Sequence, residues 1–150
     1  MGATRAEADR SLSPGDRIGP YEVIGPLGAG GMGEVYRARD NRLNRDVALK
    51  IVAPRFALDA ARLARFEREA QFLAALNHAN IATLYGLEEA HGLQALVLEL
   101  VEGQTLADRL ASQPDGLRLQ EAVRIAQQMT SGLEAAHESG VVHRDLKPDN

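Results

Sequence analysis

The chain contains no cysteine at all. Without thiols there is neither a disulfide scaffold nor a thiolate metal site, and a reducing compartment suits it. Long apolar runs are missing too. The most hydrophobic stretch, "ALVLELV" at 95–101, is too short to cross a bilayer and carries Glu99. The N-terminal "MGATRAEADRSLSPGD" has no apolar core, which excludes a secretory signal peptide. Ala6 stands where a myristoylation site needs Ser or Thr. Residues 1–16 are expected to form a disordered polar tail. Nor is there a basic excess: 17 Lys and Arg face 21 Asp and Glu, spread along the chain, so no nucleic-acid footprint is present. Repeats and low-complexity segments are absent as well.

What remains is ordinary globular material, 150 residues with 45% hydrophobic and 25% charged content. "YEVIGPL", "EVYRARD" and "DVALKIV" between Tyr21 and Val52 read as three strands, with Asp40-Asn41 supplying turn chemistry between the second and third. The period then changes. Leu63, Phe66, Ala70 and Leu73 fall at helical spacing over 60–76, with Asp59 as a candidate N-cap. "NIATLYGL" and "LQALVLEL" read as two further strands. Thr105 to Asp108 resembles a capping box, and Pro114-Asp115-Gly116 a turn. A long helix follows over about 119–139, its expected stripe Ala122, Ala126, Met129, Leu133 and Ala136, with Gly140 placed as a C-cap glycine. The order is α+β, not alternating βαβ units.

Three features carry chemistry. "GAGGMGEV", Gly28 to Val35, matches G-x-G-x-x-G-x-V. Glycines there let backbone N–H groups approach phosphates without a Cβ in the way. A dinucleotide fold would open a helix at the last glycine; here a strand pattern follows, giving a hairpin that either lies over phosphates or is simply a glycine-rich turn. Lys50 alternates with Ala48 and so shares its face of the third strand, where an ammonium on an apolar strand needs an anion or an edge exposed to water. Glu69 shares the inward face of the helix with Phe66 and Leu73, and a carboxylate there needs a cation; Lys50 is the obvious partner. Finally, "VVHRDLKPDN" gathers a His, an Arg, two Asp, a Lys and an Asn. Taken alone, those could be a solvated surface loop.

Taken together, "GPYEVIGPLGAGGMGEVYRARD", "VALK" and "HRDLKPDN" resemble the eukaryotic-type Ser/Thr protein kinase family, its bacterial members above all, from Tyr21 to Asn150. The resemblance implies a complete kinase N-lobe over 17–98, a five-stranded antiparallel sheet plus one helix. It implies a hinge at 99–104 and only the start of the helical C-lobe over 105–150. Leu27, Val35 and Ala48 would roof the adenine, with Gly28, Ala29, Gly30, Gly31, Met32 and Gly33 forming the glycine loop. Leu98 would be the gatekeeper, and the backbones of Glu99 and Val101 would bond the adenine edge. Leu73, Leu84 and His143 match members of the hydrophobic spine. Ala79 stands where the family usually has Pro, which should loosen that loop.

For phosphoryl transfer the resemblance implies Asp145 as acceptor of the substrate hydroxyl's proton, and Lys147 as the balance for γ-phosphate charge. Lys50 would hold the α- and β-phosphates and Glu69 would hold Lys50, while Asn150 would be a ligand to Mg²⁺ or Mn²⁺. "DLKP" resembles the Ser/Thr-specific form of the loop, and Arg144 before Asp145 suggests control through an activation loop. Expected partners are ATP and a protein bearing Ser or Thr, with no nucleic acid. The family continues past this Asn into a strand, an Asp-Phe-Gly and the rest of the helical lobe. The sequence is therefore expected to be a truncated kinase, cytoplasmic in this part and inactive as a 150-residue piece. Bacterial relatives often carry a membrane span after the kinase domain, the one expected route to a membrane. A non-catalytic, pseudokinase-like nucleotide-binding or regulatory module is the competing reading, opposed by the intact Lys50, Glu69, Asp145, Lys147 and Asn150. A dinucleotide-dependent oxidoreductase rests on the glycine pattern alone.

Overall fold

The structure is a computed structural model of the chain. It describes residues 11–30, 33–52, 68, 70–71 and 73–149. The chain divides into two compact units: a sheet unit, Met1–Ala75 with Thr83–Leu100, and a helical unit, Leu76–Ala82 with Val101–Asn150.

The sheet unit holds β1 (Arg17–Ile18), β2 (Tyr21–Gly30), β3 (Gly33–Asp40), β4 (Arg45–Val52), β5 (Leu84–Ala90) and β6 (Leu93–Glu99). They form one antiparallel sheet in the order β1-β2-β3-β4-β6-β5. This is one strand more than the expected five. The extra one, β1, pairs Arg17 with Glu22 and Ile18 with Tyr21. A two-residue strand shows no period-2 pattern to read, yet Ile18 is fully buried.

Part of the expected tail is also ordered. The Leu12 N–H donates to the Tyr36 hydroxyl at 2.9 Å, Ser11 Oγ to Glu34 at 2.9 Å, and the Gly15 N–H to the Val23 carbonyl at 2.8 Å. Tyr36 in turn donates its hydroxyl proton to Glu34. A buried tyrosine needs partners for its hydroxyl, and residues 11–16 supply one, so they are fastened to the sheet. Burial, followed by the Glu34 bond, raises the Tyr36 pKa.

Turn chemistry sets the register. Asp40 is buried, and its Oδ1 accepts from the Arg42 and Leu43 N–H groups at 3.0 Å each, closing the β3–β4 connection as the Asp-Asn pair suggested. β5 and β6 are joined by His91-Gly92, with φ of 54° and 73°, the double-positive backbone of a tight hairpin turn.

Alternation then sorts side chains onto two faces. Ile18, Val23, Tyr36, Ala38, Val47, Leu49, Ile51, Ala95 and Val97 form the main core on one. Ala70, Leu84 and Leu96, with Leu73 and Leu98 packed on them, form a smaller cluster on the other. Ala70 and Leu73 are helical, as are the described residues 68, 71 and 74. Leu63, Phe66, Asp59 and Glu69 lie outside the described residues.

The helical unit contains α1 (Leu106–Ala111) and α2 (Leu119–Glu138). Thr105 caps α1: its Oγ1 accepts from the Asp108 N–H at 3.0 Å, while the Asp108 carboxylate reaches back to the Thr105 N–H at 3.3 Å. α2 ends in a Schellman motif. The Gly140 N–H donates to the His137 carbonyl and the Val141 N–H to that of Ala136, both at 2.9 Å, and Gly140 takes φ +78°.

The buried line on α2 differs from the expected stripe. Gly132 and Ala136 are buried, whereas Ala126 and Met129 are exposed. What covers α2 at this point is the loop at 76–82. A Cβ on Gly132 would sit 3.1 Å from the Asn80 carbonyl oxygen. The loop containing Ala79 is tied down: the Ile81 N–H donates to the His78 carbonyl at 3.0 Å, the Asn80 N–H to His78 Nδ1 at 3.1 Å, and His78 Nε2 lies 3.2 Å from Ser131 Oγ. No helix among the described residues is long and apolar enough to cross a membrane.

Candidate active-site elements

The glycine-rich stretch is the end of β2 and the start of β3, paired Gly28 with Val35, Ala29 with Glu34 and Gly30 with Gly33. Gly31 and Met32 lie outside the described residues. The last glycine leads into an eight-residue strand, not a helix, which removes the dinucleotide fold. β2 carries irregularities between Val23 and Gly25 and between Pro26 and Gly28. Leu27 therefore has no partner across the ladder and stands half exposed. Bulges re-aim side chains in this way. A Cβ added at Gly28 would meet nothing within 4 Å, so the backbone there is open to approach.

From that turn a cross-strand row runs Gly28, Val35, Lys50, Leu96, and a second row runs Arg37, Ala48, Leu98, Leu84. Val35, Ala48 and Lys50 thus share one face with Leu96 and Leu98, the face that carries the smaller apolar cluster. Ala48 is buried, and Val35 and Lys50 are half buried. Glu69 is outside the described residues; its neighbour Ala70 is buried in the cluster on the Lys50 face.

Of the two faces, only this one bears a lysine among apolar residues of the central strands. Leu73 and Leu84 are brought into one cluster, while His143 belongs to the helical unit. Glu99 closes β6. Its carboxylate accepts from the Thr83 N–H and the Thr83 hydroxyl, both at 3.0 Å, and its own N–H donates to the Thr83 carbonyl at 2.8 Å. The backbone bond and then the hydroxyl bond hold the Glu99 carboxyl below its usual pKa. Thr83 escaped the sequence reading because its partner is 16 residues away.

In the helical unit, residues 141–149 follow the Schellman cap as a loop without regular structure. Arg144 takes φ +60°, a left-handed conformation that costs a residue with a Cβ on the order of 1 kcal/mol or more. That bend lets the Asp145 N–H turn back to His143 Nδ1 at 3.3 Å. Lys147 Nζ lies 3.2 Å from Asp145 Oδ2, with the side chains 45% and 60% exposed. A pair this wet adds little stability; it sets a carboxylate and an ammonium side by side facing water. The Pro148 carbonyl accepts from the Ala107 N–H at 3.0 Å, satisfying one of the unpaired donors at the start of α1 and fixing the loop's far end. Val101 is exposed. Asn150 lies outside the described residues, and no three His, Cys, Asp or Glu side chains cluster as a metal site among those described.

Comparison with protein-family models matches residues 21–150 to the protein kinase domain. The chain belongs to the protein kinase family. Among curated proteins, it is 41% identical over 137 residues to the serine/threonine-protein kinase PrkC of Bacillus subtilis, covering 91% of this chain and 21% of that protein. It is 43% identical over 135 residues to the serine/threonine-protein kinase PknB of Mycobacterium leprae, covering 87% and 21%. This kinase chain thus spans about a fifth of the length of such relatives. Among solved structures, the PknI kinase domain of Mycobacterium tuberculosis superposes with a TM-score of 0.80 at 30% identity, over 93% of this chain and 57% of that one. Protein kinases as a family use ATP and a divalent metal ion.

Proposed function

We propose that this chain supplies the nucleotide-holding sheet and the phosphoryl-transfer loop of a serine/threonine protein kinase. The observation that carries the reading is the pair of cross-strand rows placing Val35, Ala48 and Lys50 on one face, directly after a glycine turn that leads into a strand. Leu27, Val35 and Ala48 offer apolar surface for an adenine ring, and Gly28, Ala29, Gly30, Gly31, Met32 and Gly33 offer backbone N–H groups to its phosphates. Lys50 supplies the cation for the α- and β-phosphates, with Glu69 holding it in place. Leu98 limits access beside the base, and the backbones of Glu99 and Val101 bond the base edge.

The helical unit contributes the transfer chemistry. Asp145 accepts the proton of a Ser or Thr hydroxyl and orients its oxygen toward phosphorus, and Lys147 offsets negative charge on the transferred group. Their 3.2 Å pairing supports a shared role. Asn150 has the amide oxygen that a hard cation prefers, so it fits Mg²⁺ or Mn²⁺ by donor type. When bound, the cation supplies charge neutralisation at the phosphates. The "DLKP" form of the loop favours Ser and Thr over Tyr as acceptors.

Calorimetric titration of the chain with ATP and Mg²⁺ tests the nucleotide part. We expect saturable binding that Lys50→Ala weakens about tenfold, the loss of one charged contact; wild-type protein that never saturates would sink it. Transfer is tested by fusing the chain, after Asn150, to the remainder of the PrkC kinase domain and supplying γ-labelled ATP. Label is expected on Ser and Thr, dropping about 10²–10⁴-fold in Asp145→Asn. A folded fusion that labels nothing, or an Asp145→Asn form that labels normally, overturns the assignment.

A further inference from the structure

In a regular antiparallel ladder, residues opposite each other in a hydrogen-bonded pair exchange two backbone bonds. The last ladder pair of β5 and β6 is Leu84 with Leu98. Beyond it, Thr83 and Glu99 exchange only one backbone bond, from the Glu99 N–H to the Thr83 carbonyl at 2.8 Å. The return bond goes elsewhere. The Thr83 N–H donates to Glu99 Oε2 at 3.0 Å, and the Thr83 hydroxyl adds a second bond to the same oxygen at 3.0 Å. A carboxylate has thus taken over the acceptor role that the Glu99 carbonyl plays in an unbroken ladder. The ladder stops here, and β6 ends at Glu99 itself.

We propose that this Thr83–Glu99 clamp is a positioning device for the nucleotide base: by satisfying the Thr83 N–H with its side chain, Glu99 releases its own carbonyl to accept from an amino group on the base edge. The inference rests on the nucleotide reading above. It makes Thr83 and the Glu99 carboxylate positioning residues that need not touch the ligand. It also makes Glu99 one-sided. With its N–H committed to Thr83, it offers a ligand an acceptor and no donor, so the ligand edge opposite must donate. Remove the carboxylate, and the Thr83 N–H reclaims the carbonyl.

The test is calorimetric titration of the chain with ADP and with GDP, beside a melting curve, for wild type, Glu99→Ala, Glu99→Gln, Thr83→Val and Thr83→Ser. Glu99→Ala is expected to lose about tenfold in ADP affinity and to narrow the preference for ADP over GDP, an effect that plain destabilisation does not produce. Thr83→Val keeps the backbone bond and should lose about threefold. Thr83→Ser and Glu99→Gln, which retain the hydroxyl donor and an acceptor oxygen, should recover most of the affinity. An unchanged ADP-to-GDP ratio in a folded Glu99→Ala protein overturns the clamp and leaves the nucleotide reading standing. Should Glu99→Ala not fold, equal affinities for Thr83→Val and Thr83→Ser overturn it instead. Wild-type protein that binds neither nucleotide overturns both.

Discussion

The two units of this chain solve burial differently. In the sheet unit every central strand puts alternate residues into one of two apolar clusters, and Val47, Leu49 and Val97 are wholly inaccessible. In the helical unit, α2 buries only Gly132 and Ala136, while Leu119 is 80% and Val123 46% exposed. The sheet's main core is built by its own strands, and described helical residues add Ala70 and Leu73 to the smaller cluster. α2 is instead held by polar and backbone devices: the Schellman cap, the Arg109–Glu121 pair at 3.0 Å, and the His78–Ser131 contact. The difference teaches where substitutions will hurt. In the sheet unit, stability follows apolar volume; in the helical unit, it follows caps and close approaches.

The sharpest way to break this contrast is a matched pair of truncations. Leu49→Ala should cost about 2–5 kcal/mol through its cavity, whereas Leu119→Ala, at an exposed site, should stay within about 0.5 kcal/mol. Urea unfolding of both variants checks it, and equal losses would erase the distinction. Next comes Gly132→Val. Its Cβ would press on the Asn80 carbonyl oxygen at 3.1 Å, and we expect a loss of about 1–3 kcal/mol, seen first as faster amide exchange at Asn80 and Ile81. Slower exchange there would mean the loop at 76–82 is not what α2 packs on. Thr105→Ala removes the capping box and should cost about 1 kcal/mol, read from the helical signal on melting.

The smallest effect is one of pH. Asp46 is held below its usual pKa by hydrogen bonds from Arg39 and then Arg37, and Glu99 by bonds from Thr83. A depressed carboxyl adds stability that is present above its unfolded pKa and lost as pH falls through the lower folded value. The sheet unit should therefore weaken below about pH 4. Asp46→Asn should flatten that slope in a melting series between neutral and acid pH; an unaltered slope would assign the acid sensitivity to other carboxylates.

Much of this was legible in the residue string. Asp40-Asn41, the Thr105–Asp108 box and Gly140 each act within four residues of themselves, and local chemistry sufficed to place them. Alternation put Lys50 beside Ala48, and the strand pattern after Gly33 argued against a dinucleotide fold, which the observed β3 then removed. β1 was missed because two residues show no period. The fastening of residues 11–16 was missed because Leu12 meets Tyr36 across 24 positions, and the hold on Ala79's loop because His78 meets Ser131 across 53.

By itself, then, the sequence determined the family, the order of the longer strands and helices, and the motifs that mark that family. Each of these is written in motif spacing, backbone propensity or local hydrogen bonding. Only the tertiary structure decided that Glu99 spends its carboxylate on Thr83, that α2 turns Gly132 rather than Met129 inward, and that Arg144 bends to bring Asp145 back onto His143. The first two depend on which distant backbone comes within about 3 Å, the reach of a hydrogen bond or a van der Waals contact. The third depends on a backbone angle that an arginine adopts only when its surroundings hold it there.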